Sequence, residues 1–291
     1  MSWRTVVVKS RSKLDYKMEY LVIRTEETTA RVHLSEIAVL VVESTAVSFT
    51  AYLLAELCNH KIKVIFCDEK CDPTAEVVPF YGSHDCPRKV REQIRWGEEI
   101  KKLVWADIVR TKIAGQLSNL PAEADVPRSL LTSYMEEVLP GDPSNREGHA
   151  AKVYFNALFG MSFSRGDESP INAALNYGYG ILLSAFNREV VSCGYLTEIG
   201  IFHDNTFNRF NFSCDLMEPF RPFVDRLVLT LDPQKFGHEE KMEVLNILNS
   251  KLHIRDSEQY MLNAIRIYAH SVIEALEEGD VACIRNPVYE S

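Results

Sequence analysis

Short apolar segments rich in β-branched residues follow one another through the first third of the chain. They lie at residues 5–8, 20–23, 37–42, 62–66 and 75–78. Runs of this length and composition are typical of strands. Residues 14–25 have the character of a hairpin partner for the first strand. The pattern therefore predicts a small, strand-rich N-terminal domain.

One helix is predicted to interrupt these strands, with Ser44 or Ser48 as its cap. Its apolar positions recur at helical spacing: Phe49, Leu53, Leu54 and Leu57. No G-x-G-x-x-G or G-x-x-x-x-G-K-[ST] pattern occurs in the sequence. The sequence therefore does not support a dinucleotide-binding fold or a phosphate-binding loop of that kind.

The hydrophobic period changes after residues 81–87. From Val90 onward apolar residues recur on a helical face for about thirty residues, and residues 129–279 are helical in character between short breaks. Strands followed by helices predict an α+β fold. We assign residues 1–83 to a β-strand-rich domain, 84–91 to a linker and 92–291 to an α-helical domain.

The charge balance of the chain narrows the classes of function. Its 291 residues include 41 acidic and 32 basic side chains, a net charge of -9. This net charge argues against a basic protein that coats nucleic acid non-specifically. It does not exclude a local basic face. No signal-peptide pattern opens the sequence, and its apolar runs are far shorter than the ~20 residues that span a bilayer. We expect a soluble, cytoplasmic protein that does not bind membranes.

The seven cysteines are odd in number and scattered, which fits reduced thiols better than a disulfide framework. One group has the residue types of a zinc site: Cys67, Cys71, His84 and Cys86. Its second pair is spaced too tightly for structural zinc. We therefore favour free thiols beside a loop.

Three polar stretches interrupt the helical half, and they contain Glu147, His203, Asp215 and Glu218. Asp215 and Glu218 are three residues apart and would share one face of a helix. A histidine with two or three carboxylates is a ligand set suited to magnesium or manganese. A divalent ion would relieve the repulsion between the carboxylates and could polarise a phosphoryl oxygen.

Simpler structural interpretations of the same residues stay open. Ser144 and Glu147 have the spacing of a capping box, so Glu147 could satisfy a helix N-terminus. Asp215 could cap the helix that Pro219 opens. His203 could be a buried histidine with a structural hydrogen bond.

Seven motifs along the chain are shared, in order and spacing, with one known family. They are residues 3–7 (WRTVV), 33–37 (HLSEI), 66–70 (FCDEK), 79–82 (PFYG), 142–151 (DPSNREGHAA), 176–179 (NYGY) and 217–222 (MEPFRP). Each motif alone is weak, but their order over most of the chain is specific. The sequence thereby resembles the CRISPR-associated integrase, the universal endonuclease and integrase subunit of CRISPR adaptation, in its type II form.

The resemblance implies a β-sandwich-like N-terminal domain followed by a larger all-α domain. It implies that Glu147, His203 and Glu218 are catalytic and hold one Mg²⁺ or Mn²⁺ ion. Many relatives carry aspartate at the third position, which leaves the direct ligand open between Glu218 and Asp215. We favour Glu218, with Asp215 in a supporting role. The implied reaction is a transesterification in which the 3′-OH of a prespacer DNA duplex attacks a phosphodiester at the boundary of a CRISPR repeat.

The expected DNA contacts near the metal site are Arg146, Lys152, Arg209, Arg221, Asn176 and Tyr179. A second basic group either tracks phosphates or is a solvated helix face: Arg88, Lys89, Arg91, Arg95, Lys101 and Lys102. Phe207, Phe210 and Phe212 either stack on unpaired bases or, as we favour, pack in the core.

The resemblance also implies partners. These are double-stranded DNA, a second copy of the chain, a small adaptation subunit, the type II effector nuclease and a ring-shaped protein that binds DNA ends. Two other functions stay open. One is a metal-dependent phosphohydrolase of the His-Asp class, for which His84-Asp85 and His203-Asp204 supply the dipeptide. The other is a catalytically silent scaffold.

Overall fold

Two four-stranded sheets and one helix make up the first of two units in this computed structural model. The structure describes residues 4–79, 83, 85–254 and 257–289, and the chain divides into residues 1–84 and 85–291. The elements of the first unit are β1 (Arg4–Val8), β2 (Ser12–Lys17), β3 (Tyr20–Arg24), β4 (Thr29–His33), β5 (Ile37–Val42), β6 (Val47–Phe49), α1 (Ala51–Asn59), β7 (Lys63–Cys67) and β8 (Pro73–Val77).

The sheets have the strand orders β1-β5-β7-β8 and β4-β3-β2-β6. All six residues of β5 are buried, and β5 pairs in parallel with both β1 and β7. A continuous apolar run fits the centre of a parallel sheet because both of its faces are covered. The predicted hairpin exists as β2 and β3, but its expected partnership with the first strand is wrong, because β1 belongs to the other sheet.

The core of this unit draws side chains from both sheets and from the helix. Leu14 and Leu21 come from the β2–β3 hairpin, Leu40 from β5, and Leu53 and Leu57 from α1, all at most 1% exposed. The cap of α1 is Thr50, whose hydroxyl accepts a hydrogen bond from the Leu53 backbone N–H, and neither Ser44 nor Ser48.

The second unit consists mainly of helices. They are α2 (Cys86–Arg95), α3 (Glu98–Asn119), α4 (Asp125–Glu136), α5 (Arg146–Phe159), α6 (Pro170–Cys193), α7 (Asn211–Met217), α8 (Arg221–Leu231), α9 (His238–Leu245) and α10 (Met261–Glu278). The long helices α3 and α6 bury residues on most of their circumference, so they form the centre of the unit. None of the helices in the described part of the chain has the length and apolar character needed to cross a bilayer.

A small antiparallel sheet in this unit corrects the expectation of an all-α domain. It has the order β10-β9-β11 and comprises β9 (Lys251–Ile254), β10 (Ser257–Tyr260) and β11 (Pro287–Val288). Strands of two to four residues with several polar positions carry little periodic signal. The α+β class itself is confirmed.

The predicted linker is largely helical, since α2 begins at Cys86. Pro87 lies in its first turn, where a missing N–H costs nothing, so this proline opens a helix. His84, which belongs to the predicted linker, to the zinc-like group and to one His-Asp dipeptide, lies outside the described residues. So do Trp3 and residues 80–82 of the family motifs.

Candidate active site

Two carboxylates from different elements meet at one buried ammonium group. Glu147 lies in the first turn of α5, and Glu218 opens a 3₁₀ turn between α7 and α8. The Lys112 Nζ, from α3, donates to Glu147 Oε1 at 2.6 Å and to Glu218 Oε2 at 2.5 Å. The side chain of Lys112 is 10% exposed and that of Glu218 only 3%. The fold therefore brings Glu147 and Glu218 together, although 71 positions separate their residue numbers.

A second cation holds the other oxygen of Glu218. Arg221 Nε lies 2.9 Å from Glu218 Oε1, and its guanidinium lies over the Tyr179 ring, 4.6 Å from the centroid. Burial alone would raise the pKa of Glu218, but the charges of Arg221 and Lys112 outweigh it and keep this pKa below its usual value. Glu218 is thus an ionised carboxylate in a buried position.

The loop before α7 carries His203 and is fixed by Asp215. The buried Asp215 carboxylate accepts from the backbone N–H groups of Ile201 (2.6 Å), Phe202 (3.0 Å) and His203 (3.1 Å). It also pairs with His203 Nδ1 at 2.5 Å. Four contacts to one carboxylate orient both the loop and the imidazole ring. Asp215 therefore supports His203 and does not cap the helix at Pro219.

This arrangement leaves the second imidazole nitrogen of His203 available. Nε2 makes no hydrogen bond to any residue that the structure describes. The hydrogen bond to Asp215 is the main cause that raises the pKa of His203, and the negative charges of Glu218 and Glu147 raise it further. The ring thus lies within electrostatic reach of both carboxylates.

Aromatic packing and one glycine complete the support of the loop. Trp105 of α3 stacks on Phe202, with centroids 4.3 Å apart, and meets the His203 ring edge-on at 5.6 Å. A Cβ on Gly200 would lie 2.4 Å from the His203 carbonyl oxygen and 2.8 Å from Asp215 Oδ2. Only glycine permits this close approach of the loop to the carboxylate.

The start of α5 excludes the capping-box interpretation of Glu147. The N-cap is Asn145, whose side chain accepts from the backbone N–H three residues on. The Asp142 carboxylate accepts from the N–H groups of Arg146 (2.8 Å) and Glu147 (3.0 Å). Ser144 is therefore not the cap. The helix end is satisfied without the Glu147 side chain, which is free to reach Lys112.

The donor chemistry of the three predicted ligands fits a hard divalent cation. Two carboxylates and an imidazole suit Mg²⁺ or Mn²⁺. Among the described residues, however, the ligand atoms of Glu147, His203 and Glu218 do not all lie within 4.8 Å of one another. The ammonium of Lys112 lies between the carboxylates of Glu147 and Glu218. Asp215 and Glu218 are three residues apart but have different partners, since Asp215 pairs with His203 and Glu218 with Lys112.

The predicted DNA contacts fall into different environments. Lys152 and Arg209 are exposed, whereas Arg146 pairs with Glu137 at 2.6 Å. Asn176 is exposed and accepts from Arg165 at 2.6 Å. Arg221 pairs with Glu218, as described above.

Tyr179, which was predicted to contact DNA, lies in the interior of the second unit. It is 8% exposed, and its hydroxyl donates to the buried Asp225. Tyr154 also donates to Asp225, at 3.2 Å. A tyrosine held in this way contributes to the interior and supports Arg221 through its ring, so the structure does not support a DNA contact by Tyr179.

The basic group on the first helices of this unit is largely paired. Arg88 pairs with Asp85 and Glu92, Lys101 with Glu98 and Lys102 with Glu99, and Lys89 donates to a backbone carbonyl. These local pairs favour the solvated helix face. The phenylalanines differ: Phe212 is fully buried, as favoured, whereas Phe207 is 94% exposed.

Lys112 and Asp225 were not predicted from the sequence. Lys112 lies three and four residues after the buried Val109 and Ile108, and Asp225 lies three residues before the buried Val228. That position was the available signal. The His-Asp phosphohydrolase interpretation weakens, because Asp204 is exposed and the imidazole of His203 pairs with Asp215.

Comparisons with known proteins agree with this architecture. A family model described as CRISPR associated protein Cas1 matches residues 5–245. The chain is 35% identical over 235 residues to the CRISPR-associated endonuclease Cas1 of Neisseria meningitidis, covering 80% of this chain and 77% of that protein. It is 28% identical over 261 residues to a CRISPR-associated endonuclease Cas1 of Pyrobaculum aerophilum, covering 78% and 82%.

Solved structures with low sequence identity share the fold. A CAS1 protein from Thermotoga maritima has a TM-score of 0.75 at 18% identity, with 99% of each chain covered. A casposase bound to integration product has a TM-score of 0.76 at 16% identity, covering 97% of this chain and 92% of that one. A Cas6-RT-Cas1–Cas2 complex has a TM-score of 0.76 at 16% identity, and the chain spans 36% of that longer polypeptide.

The fold, with a strand-rich N-terminal unit and a mainly helical C-terminal unit, is shared with these solved structures. The chain belongs to the Cas1 family. The resemblance inferred from the sequence motifs is thereby confirmed at the level of the family.

Proposed function

We propose that the chain is a metal-dependent integrase and nuclease of CRISPR adaptation. In this proposal Glu147, His203 and Glu218 hold one Mg²⁺ or Mn²⁺ ion, and Asp215 orients His203. The observation that carries it is the meeting of Glu147 and Glu218 at one buried cation, beside a histidine fixed by a buried carboxylate. The names of the Cas1 endonuclease relatives and of the casposase bound to integration product support the same class of reaction.

The proposed reaction exchanges one phosphodiester for another. The 3′-OH of the prespacer forms a bond to phosphorus at the repeat boundary, the existing bond to the 3′ oxygen breaks, and the proton passes to the departing oxygen. The number of phosphodiester bonds is unchanged, so the step is reversible and needs no covalent enzyme intermediate. A bound divalent ion supplies polarisation of the phosphoryl oxygen.

The protein's own residues position and neutralise charge in this scheme. Asp215 holds the imidazole so that only Nε2 faces away from it. Arg221 and Lys112 offset the charges of the two carboxylates, which would otherwise repel the DNA phosphate. Lys152 and Arg209, exposed and basic, are the better candidates for backbone phosphate contacts.

A joining assay tests the proposal. The chain and its small partner are incubated with labelled prespacer duplex and a supercoiled repeat plasmid, with and without Mn²⁺. Glu147→Ala, His203→Ala and Glu218→Ala should each abolish joining and keep a cooperative melting transition. Glu99→Ala removes an exposed glutamate and should leave joining intact. Full joining by Glu147→Ala would favour the scaffold, and phosphate release from nucleotides without joining would favour the phosphohydrolase.

We further propose a homodimer and a small partner subunit. The first unit leaves four edge strands, β1, β8, β4 and β6, and such edges favour pairing or cover. Two similar structures are Cas6-RT-Cas1–Cas2 complexes, which supports a partner of the Cas2 type. Contacts with an effector nuclease and a DNA-end-binding ring protein remain part of the proposal. Sedimentation of the full chain and of residues 84–291 tests the dimer, and equal dimer affinity would contradict a role for the first unit.

A further inference from the structure

Lys112 lies where a divalent cation would join the two carboxylates. Its ammonium contacts one oxygen of Glu147 and one of Glu218 at 2.6 and 2.5 Å. The residue as a whole is 8% exposed, so solvent does not replace these contacts. Ile108 and Val109, one turn before Lys112 in α3, are fully buried, and lysine is rarely buried unless its charge is paired.

The charges of this cluster cancel without any metal. Glu147 and Glu218 carry two negative charges, and Lys112 and Arg221 carry two positive ones. Both cations are in contact with the same buried Glu218. Removal of the ammonium would leave the two carboxylates with Arg221, which contacts Glu218, and buried like charges repel strongly.

We propose that Lys112 is a tethered cation that competes with the divalent ion for Glu147 and Glu218. The inference rests on the proposed metal site. In the metal-free protein Lys112 holds the carboxylates together and keeps the site from repelling itself. An ion that binds to both carboxylates must displace the ammonium, so the apparent affinity for metal is reduced by the cost of that displacement.

The competition has a consequence for DNA binding. The four charges sum to zero before the ion binds, and the ion adds two positive charges. The transition state of phosphoryl transfer carries additional negative charge on the phosphoryl oxygens, so the loaded site is complementary to it and the empty one is not. Lys112 thereby links electrostatic attraction of the scissile phosphate to the presence of the metal.

Mn²⁺ binding to the full-length protein, measured by titration calorimetry at pH 7.5, tests this inference. Lys112→Met should bind Mn²⁺ at least about tenfold more tightly than the unchanged protein, because the competitor is gone. Lys102→Met, an exposed lysine of the same helix that pairs with Glu99, should leave the affinity unchanged. Without metal the Lys112→Met protein should melt at a lower temperature, and Mn²⁺ should restore more of its stability than it adds to the unchanged protein.

The outcomes separate the two proposals. Absence of Mn²⁺ binding by both the unchanged protein and Lys112→Met would remove the metal site itself. Binding that is lost in Glu147→Ala but is equal or weaker in Lys112→Met would retain the site and overturn the competition. Should Lys112→Met not fold without metal, Lys112→Gln keeps two N–H donors without the charge. The same gain in affinity is expected of it, and no gain would overturn the inference.

Discussion

His203 and Asp215 form a single hydrogen-bonded unit across twelve positions of the chain. Nδ1 of the imidazole lies 2.5 Å from Oδ1 of a carboxylate that is fully buried. The same carboxylate accepts three backbone N–H groups of the loop that carries the histidine. Asp215 therefore fixes the position of His203 and its free nitrogen together.

Asp215→Asn should lower the pKa of His203 and reduce joining. The amide keeps one acceptor oxygen, so at least one buried N–H loses its partner at a cost of about 1–3 kcal/mol. The folded-state pKa of His203 is raised above its ordinary value. The stability from this pair is therefore complete below the unfolded pKa and is lost as pH rises through the folded pKa. The advantage over Asp215→Asn should be largest in acid and shrink on crossing neutrality.

Histidine ring NMR titrations and urea denaturation of both proteins in chelator measure these effects. Asp204→Asn, which changes the exposed neighbour of His203, serves as the control and should match the unchanged protein. An unaltered His203 titration in Asp215→Asn would contradict the assigned pair.

The caps of α5 can be tested independently of catalysis. Ser144→Ala should change the free energy of unfolding by less than about 0.5 kcal/mol, because Ser144 is not the N-cap. Asp142→Ala should cost about 1–2 kcal/mol or more, since it removes the acceptor of two helix N–H groups. Denaturation curves of the two variants and the unchanged protein measure these free energies of unfolding. A large loss in Ser144→Ala with none in Asp142→Ala would restore the capping box at Ser144.

The sequence permitted prediction of the α+β class and of the strands with strong apolar runs, such as β5 and β7. It did not reveal β4 or β6. β4 has five residues, most of them polar, and β6 has only three, so neither carries a clear periodic signal. The pairing of β1 with β5 follows from tertiary packing and not from local pattern. Contacts of Lys112 span 35 and 106 positions, so no local motif could place that cation between the carboxylates.

Ionisation of Asp225 should lower the free energy of unfolding as the pH rises through the weakly acidic range. Burial raises its pKa from 3.8 to about 6, although the hydroxyl donors Tyr179 and Tyr154 oppose this. Between these two values the folded state binds more protons than the unfolded state, so stability declines with rising pH and is level above the window. The decline amounts to about 3 kcal/mol at 1.36 kcal/mol per pKa unit.

Urea denaturation of the unchanged protein and of Asp225→Asn between pH 4 and 7.5 isolates this effect. The difference in unfolding free energy should change across the window in favour of the variant as pH rises. The asparagine keeps an acceptor for one tyrosine hydroxyl. Parallel curves over the whole range would show that Asp225 is ionised in the fold at pH 4 or is not coupled to folding.

DNA binding by this acidic chain should depend on its small partner. Most basic residues near the first helices of the second unit are already paired. Lys152 and Arg209 are exposed and make no ion pair with a described residue. With a net charge of -9, the chain alone should bind duplex weakly. Its small partner should raise the affinity by roughly two to four decades, because several surfaces then engage one duplex.

Binding of labelled duplex against salt, for the chain with and without its partner, measures this. The slope of log affinity on log salt is about 0.9 per phosphate neutralised. Lys152→Ala together with Arg209→Ala should therefore reduce the slope by about 2, whereas Lys101→Ala, whose cation is paired with Glu98, should leave it nearly unchanged. If the chain alone showed the same affinity and slope as the complex, it would already carry the whole DNA surface and assembly would add none. An equal loss of slope in all variants would mean that pairing with a neighbouring carboxylate does not withhold a cation from DNA, so the paired lysines would belong to the contact surface after all.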